Sequence, residues 1–299
     1  MKIKKFQSHF KALSLGALTL AALPAVQAAD RLPETTTTAA AGTGGHYTGP
    51  GGLYGNPEWT KHRRFATTRV FVQRDPWEVG FEQWWRFRTF DDKGTQHLFS
   101  EEIEIGLPFR AQLDLYYDWT HEEGESEFKD FAAEIRWALA DWDVIPLNPT
   151  LYAEYKFVDE DRGGDVVELK LLLGDDIGQD FHYGINFVWE KELGGEERAT
   201  ELQALVAGSY DFSQSFSAGF EAKYVHETVA GHRSDPEHKL LLGPSIQWRP
   251  TENSHLNLVG LFGLTEDAPN VEGWVVFGFD FGRIGGDDHK VQQPVSSMR

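Results

Sequence analysis

Cysteine is absent from this chain of 299 residues. Its absence excludes disulfide bonds and the cysteine-borne lipid that anchors a lipoprotein. Basic residues are scarce, with 28 Lys and Arg against 47 Asp and Glu, for a formal charge of −19 at pH 7. Such a surface repels nucleic acid and other polyanions, so no nucleic-acid partner is expected. No internal stretch approaches the roughly 20 apolar residues that a membrane helix needs. Also missing are a glycine-rich phosphate loop, an H-E-x-x-H zinc helix and a G-x-S-x-G elbow. The sequence therefore offers no catalytic constellation, and neither an enzyme nor a bound cofactor or metal is expected.

The N-terminus has a different character. Lys2, Lys4, Lys5 and Lys11 precede an apolar run from Ala12 to about Val26, and Val26 and Ala28 are small residues at the positions a signal peptidase reads. This pattern predicts a secretory signal over residues 1–28. Its removal takes four Lys and no acid, leaving 24 bases against 47 acids, a balance of −23. Residues 29–66, with TTTTAAAGTGG and GPGGLYGNP, read as a low-complexity, disordered periplasmic linker, with entry into a lumen as the alternative. Residues 284–299 read as a polar tail.

Between these ends the apolar pattern has period two. In RAQLDLYYDWT, Ala111, Leu113, Leu115, Tyr117 and Trp119 share one face, and Gln112, Asp114, Tyr116 and Asp118 share the other. Phe131, Ala133, Ile135 and Trp137 repeat the arrangement against Glu134 and Arg136. Twelve such runs begin near 77, 96, 110, 129, 150, 166, 181, 200, 216, 238, 255 and 273. Most match the ~9–11 residues of a tilted membrane-spanning strand better than the ~5–6 of a soluble one. Short turns (GDDIGQD, DFSQS, RPTENS) alternate with acidic loops, and DWDVIPLNP is an exception in length. The fold expected over 67–283 is an all-β, up-and-down antiparallel barrel of about 12 strands, with both termini periplasmic and the short turns beside them. Trp77, Trp119, Trp189, Tyr210 and Trp248 near strand ends fit the aromatic belt of the lipid–water interface, so outer-membrane lipid is the expected surrounding.

If the polar face lines the lumen, the recurring E-x-K/R pairs point inward. These are Glu134 and Arg136, Glu154 and Lys156, Glu168 and Lys170, and Glu221 and Lys223. One register per hairpin sets Asp114 opposite Arg136, Glu134 opposite Lys156, Arg136 opposite Glu154, Glu154 opposite Lys170 and Lys156 opposite Glu168. Each directly opposed pair would contribute roughly 0.2–1 kcal/mol. A lumenal charge ladder through these residues is the expectation, and it serves equally as a wall-stiffening network or as the lining of a conducting pore. The histidines are scattered, and His226, His232 and His238 near one loop read as solvated. His182, Asn186 and Glu190 share one strand face and are the only hydrolase candidates. Glu122, Glu123, Glu125 and Glu127 read either as a solvated charge run or as a place for divalent cations bridging to lipid headgroups.

At TTRVFVQRDPWEVGFEQWWRFRT (67–89) and EEIEIGLPFRAQLDLYYDWT (101–120), with an E-x-x-x-G-L-x-x-R turn at Glu102, Gly106, Leu107 and Arg110, the sequence resembles the outer-membrane barrels of the phenol meta-pathway degradation family. The resemblance implies passage of small, hydrophobic or aromatic compounds and brings no catalytic residues. The expected function is a passive outer-membrane channel for small solutes. An excess of acids in the lumen would favour cations. The alternatives are a closed-lumen structural or surface-interaction barrel and an outer-membrane hydrolase. The residues leave solute, gating and oligomeric state open.

Overall fold

A computed structural model describes residues 51–283, apart from 92–93, 123 and 196–197. The signal sequence expected over residues 1–28, residues 29–50 and the tail 284–299 lie outside the described residues. Twelve strands follow one another: β1 (Glu78–Phe90), β2 (Gly94–Leu107), β3 (Ala111–Glu122), β4 (Glu125–Ala138), β5 (Thr150–Val158), β6 (Val166–Ile177), β7 (Phe181–Glu192), β8 (Ala199–Ser213), β9 (Phe216–Val229), β10 (Glu237–Thr251), β11 (Ser254–Gly263) and β12 (Val271–Arg283). Each pairs antiparallel with its neighbours, and β1 pairs with β12, so the sheet is a closed barrel. The expected fold class and the twelve runs are borne out. Among the described residues no helix is long and apolar enough to cross a membrane.

The alternation of side chains decides what surrounds the barrel. Ile135 is 41% exposed, while Glu134 and Arg136 on either side are buried to 1% and 0%. Tyr117, Phe131, Leu151, Phe187, Phe220 and Phe277 are likewise exposed, and Asp114, Asn186 and Glu221 are buried. In water this inside-out distribution would oppose the hydrophobic effect on every strand. In lipid it is the expected one, since closure also leaves no strand edge unpaired. Trp77, Trp189, Tyr210 and Trp248 are exposed near strand ends, and Trp119 stacks on Phe99 at 4.1 Å.

The connections at one end are short, at 108–110, 178–180, 214–215 and 252–253. The exception is 139–149, between β4 and β5. Its length has a structural reason. Trp142 is buried and packs edge-on against Trp59 and Phe71, at ring separations of 5.9 and 5.4 Å. The loop thus folds against a segment that precedes the first strand.

That segment corrects the expected domain plan. Residues 51–77 are not a linker leading into a barrel at 67. They include a 3-10 turn at Glu58–Lys61 and an irregular stretch whose side chains are buried, and the barrel wall begins at Glu78. The composition of residues 43–57 suggests disorder, but the residues that follow bring enough apolar surface to offset ordering.

Because Phe187 faces outward in the middle of β7, Phe187→Arg should destabilise the barrel by roughly 2–4 kcal/mol, the cost of a basic side chain at the bilayer midplane. Phe187→Leu should cost much less. Urea titration of folding in lipid vesicles measures both, and equal midpoints for the two variants would contradict the assignment of faces.

Candidate functional site

The lumen has two halves. In the half beside the short turns, residues 59–74 fill the barrel. Phe65, Phe71 and Val72 are 1% exposed and Val70 is 8% exposed. Their backbone polar groups are met by wall side chains from around the barrel. Glu221 on β9 accepts from the N–H groups of Ala66 and Thr67, at 2.9 and 2.7 Å. The Asn186 amide on β7 exchanges two bonds with the backbone of Arg69, both 2.7 Å. Gln112 on β3 accepts from Gln73 and Arg74, and Asn257 on β11 donates to the Arg63 carbonyl. The wall also makes room. A side chain at Gly174 or Gly184 would run into Val70, and one at Gly106 would meet the Asp75 carbonyl at 1.9 Å. The Gly106 of the recognised turn is thus explained by close approach of this plug, and its carbonyl accepts from Trp77 N–H at 2.7 Å.

Charges complete the fit. Arg63 pairs with Glu82 and Glu102, Arg69 with Glu102, and Arg74 with Glu104 and Asp280. Arg136 on the wall pairs with Asp114 and Glu134. All of these except Asp280 are buried. Four buried apolar side chains contribute on the order of 10 kcal/mol, at about 1.5–3 kcal/mol each. Buried ion pairs net near zero against apolar replacements, although removing one partner costs roughly 3–5 kcal/mol. Apolar burial and backbone hydrogen bonds therefore hold the plug, and the arginines fix where it sits. At its start, burial alone would lower the Lys61 ammonium, but hydrogen bonds to Asp75 and Glu78, both 2.9 Å, outweigh it and hold that pKa above the ordinary lysine value.

The cross-strand register corrects the expected ladder. Asp114 lies opposite Glu134, Glu134 opposite Glu154, and Glu154 opposite Glu168. Arg136 lies opposite Tyr152 and Gln112, Lys156 opposite Ala132 and Val166, and Lys170 opposite Tyr152 and Val188. Each hairpin is displaced from the expected register, and the residues keep their face. The acids form a continuous row: Glu104, Asp114, Glu134, Glu154, Glu168, Glu190, Glu201, Glu227 and Glu237, each directly opposite the next from β2 to β10. Strands in such barrels tilt by about 35–45°, so a row at right angles to them climbs the wall. Its first member is fully buried beside the plug, and the Glu237 side chain at the far end is 55% exposed.

Opposed like charges destabilise a sheet unless cations intervene. Here they come from two places. The E-x-K/R spacing sets Arg136 against Glu134, Lys156 against Glu154, and Lys170 against Glu168 along single strands, with Lys156 also reaching Glu190 at 3.0 Å. Lys239 similarly joins Glu227 and Glu237. At the buried end the plug arginines do the same. Glu221 and Lys223 are not brought together: Glu221 binds the plug backbone and Lys223 approaches Glu272 at 3.3 Å.

Beyond the plug lies a cavity of about 390 Å³. Arg69, Arg86, Arg88, Lys129, Lys156, Lys170 and Lys223 line it against Asp118, Glu154, Glu168, Glu190 and Glu201. The expectation that acids outnumber bases in the lumen does not hold for this chamber. Other acids of the row lie at the plug, paired with arginine, or at the mouth.

The hydrolase candidates are dispersed. His182 sits between Asp176 and Asp211, at 2.6 and 3.0 Å, and stacks on Trp59 of the plug. Asn186 holds Arg69, and Glu190 belongs to the acid row. Carboxylates close enough to share a cation, Glu82, Glu102 and Glu104 or Glu102, Asp114 and Glu134, surround the plug and already face guanidinium groups. Glu127, near the start of β4, pairs with Arg162 of the loop between β5 and β6.

Comparison with known proteins gives one family. The model described as "Putative MetA-pathway of phenol degradation" matches residues 166–277. This is the family the sequence resembles, matched over β6–β12 and not over the turn at Gly106. No curated protein matches the chain. An outer membrane channel from Pseudomonas putida F1 aligns with a TM-score of 0.56 and 11% identity, over 73% of this chain and 100% of its own. The NanC porin aligns at 0.48 and 11%, over 67% and 97%, and the KdgM porin at 0.46 and 9%, over 67% and 99%. At these identities the likeness is one of fold.

Glu221→Ala leaves two plug N–H groups without their acceptor, at about 1–3 kcal/mol each if they stay dry. It should speed tryptic cleavage after Arg63, Arg64 or Arg69 by tenfold or more while the barrel keeps its heat-modifiable gel mobility. Unchanged cleavage kinetics would show that Glu221 does not hold the plug.

Proposed function

We propose that the protein is an outer-membrane channel for small solutes whose N-terminal segment, residues 51–77, stoppers the periplasmic end of the lumen. The charged chamber between plug and loops is the observation that carries this reading. A barrel meant only as a wall would fill its interior with side chains, as small barrels do. Here a space of about 390 Å³ stays open inside. The chamber narrows onto the plug, where Gln112, Thr150, Leu172, Asn186, Leu241 and Val276 are dry. Passage therefore requires the plug to shift. The likeness of fold to an outer membrane channel supports the reading. Trp84, Trp274, Tyr116 and Tyr152 line the chamber beside the charges. Amphipathic solutes, apolar on one side and polar on the other, suit such walls. Short turns and the plug face the periplasm, as in barrels of this class.

The dry layer at the plug also favours the rival, a barrel with a permanently closed lumen. Planar-bilayer recording separates them. The mature chain should show small, intermittent conductance. Deleting residues 51–73, or combining Glu221→Ala with Asn186→Ala should the deletion not fold, should raise it severalfold. Silence from the mature chain and from both folded variants would leave the closed barrel as the correct reading.

A further inference from the structure

One cation in the chamber stands apart. Arg86 on β1 points into it, and its guanidinium lies 5.1 Å from the centre of the Trp274 ring. The neighbouring acid is fully engaged: Glu272 accepts from Arg88 Nε at 2.5 Å and from Trp274 Nε1 at 3.1 Å, with Lys223 Nζ at 3.3 Å. Among the described residues Arg86 has no carboxylate or other hydrogen-bond partner. The chamber's other basic groups differ. Lys156 and Lys170 bind acids of the row, Arg69 binds Glu102, and Lys129 binds Asp130. The chamber acids without a basic partner, Asp118 and Glu201, accept hydrogen bonds from Ser100 and Gln203. The surplus binding capacity is therefore cationic and sits at one point.

We propose that Arg86 and Trp274 form a binding site for a small organic anion, a carboxylate carried on a flat apolar ring. This deepens the channel reading and rests on the chamber it describes. A guanidinium presents five N–H donors in a fork that matches the two oxygens of a carboxylate. Trp274 stands edge-on to Trp84, with centroids 5.7 Å apart and planes at 71°. That pair gives the ring of a bound solute an aromatic surface within reach of the guanidinium. Hydroxyl groups of Tyr116 and Tyr152 are already committed to Glu134 and Glu154, so they add little polarity. A neutral ring would gain the aromatic surface and forgo the charge. An ammonium-bearing ring would meet Arg86, Arg88 and Lys223 on the same side.

Equilibrium dialysis of the purified protein in detergent against benzoate, phenol and benzylammonium tests this without requiring conduction. Benzoate should bind saturably, at least about tenfold more tightly than either of the others, and Arg86→Gln should weaken it by about ten- to a hundredfold, the usual effect of losing a charged hydrogen-bonding partner. Trp274→Leu should weaken benzoate and leave acetate unchanged. Lys239→Gln at the mouth should leave benzoate binding intact. Native folding of each variant is checked by its heat-modifiable mobility. Equal benzoate affinity in Arg86→Gln, no benzoate binding at all, or equal binding of the three probes would each overturn the proposal, the first meaning that water alone serves Arg86. Bilayer conductance is read separately, so a barrel that conducts and ignores benzoate removes the site and keeps the channel. One that binds benzoate and never conducts does the reverse.

Discussion

Like charges aligned across strands are the constraint from which the interior follows. Nine carboxylates in register from β2 to β10 could not line a low-dielectric wall unaided, because burial and mutual repulsion both disfavour their ionised forms. The barrel answers with cations set two residues along the same strand and, at its buried end, with arginines from outside the wall. The plug is thus part of the electrostatics of the sheet. Without Arg63, Arg69 and Arg74, the carboxylates of Glu82, Glu102, Glu104, Asp114 and Glu134 would keep, as buried basic partners among the described residues, Arg136 and the imidazole of His255 beside Glu82.

This division of labour accounts for the shape of the lumen. Where cations come from the plug, the interior is dry and packed. Where they come from lysines on the wall, whose long stems let the charge stand away from the backbone, space remains between opposite sides. Lys156 and Lys170 keep part of their surface exposed to the chamber, whereas Arg136 has none. One pattern of acids therefore produces both a stopper and a vestibule.

Much of the architecture was legible in the sequence. Period-two alternation located all twelve strands, because each has one lipid face and one lumen face and neither tolerates exchange. The E-x-K/R spacing marked true ion pairs at Glu134–Arg136, Glu154–Lys156 and Glu168–Lys170, running along strands and not across them, but not at Glu221 and Lys223. Register could not be read from charge complementarity, since the partners of Glu104 and Glu102 lie in residues 63–74 and not on a neighbouring strand. The plug was hidden by its approach: the glycine- and proline-rich run to Pro57 resembles a tether. Its signal lay just beyond, where Arg63, Arg64, Arg69 and Arg74 alternate with Phe65, Val70, Phe71 and Val72 in a chain poor in bases. Arg86 carried no sequence signal, because an unpaired cation is defined by what fails to reach it.

The plug grips both sides of the seam. Arg63 holds Glu82 on the first strand, and Arg74 and His62 lie against Asp280 on the last. Residues separated by 194 positions, Arg63 and Asn257, meet in the finished molecule. An open sheet of twelve strands has two bare edges that invite pairing with other chains. A segment bonded to both ties the first strand to the last from inside, beside the direct pairing of β1 with β12. The segment that fills one end of the lumen is in this sense also a clasp across the closure of the wall.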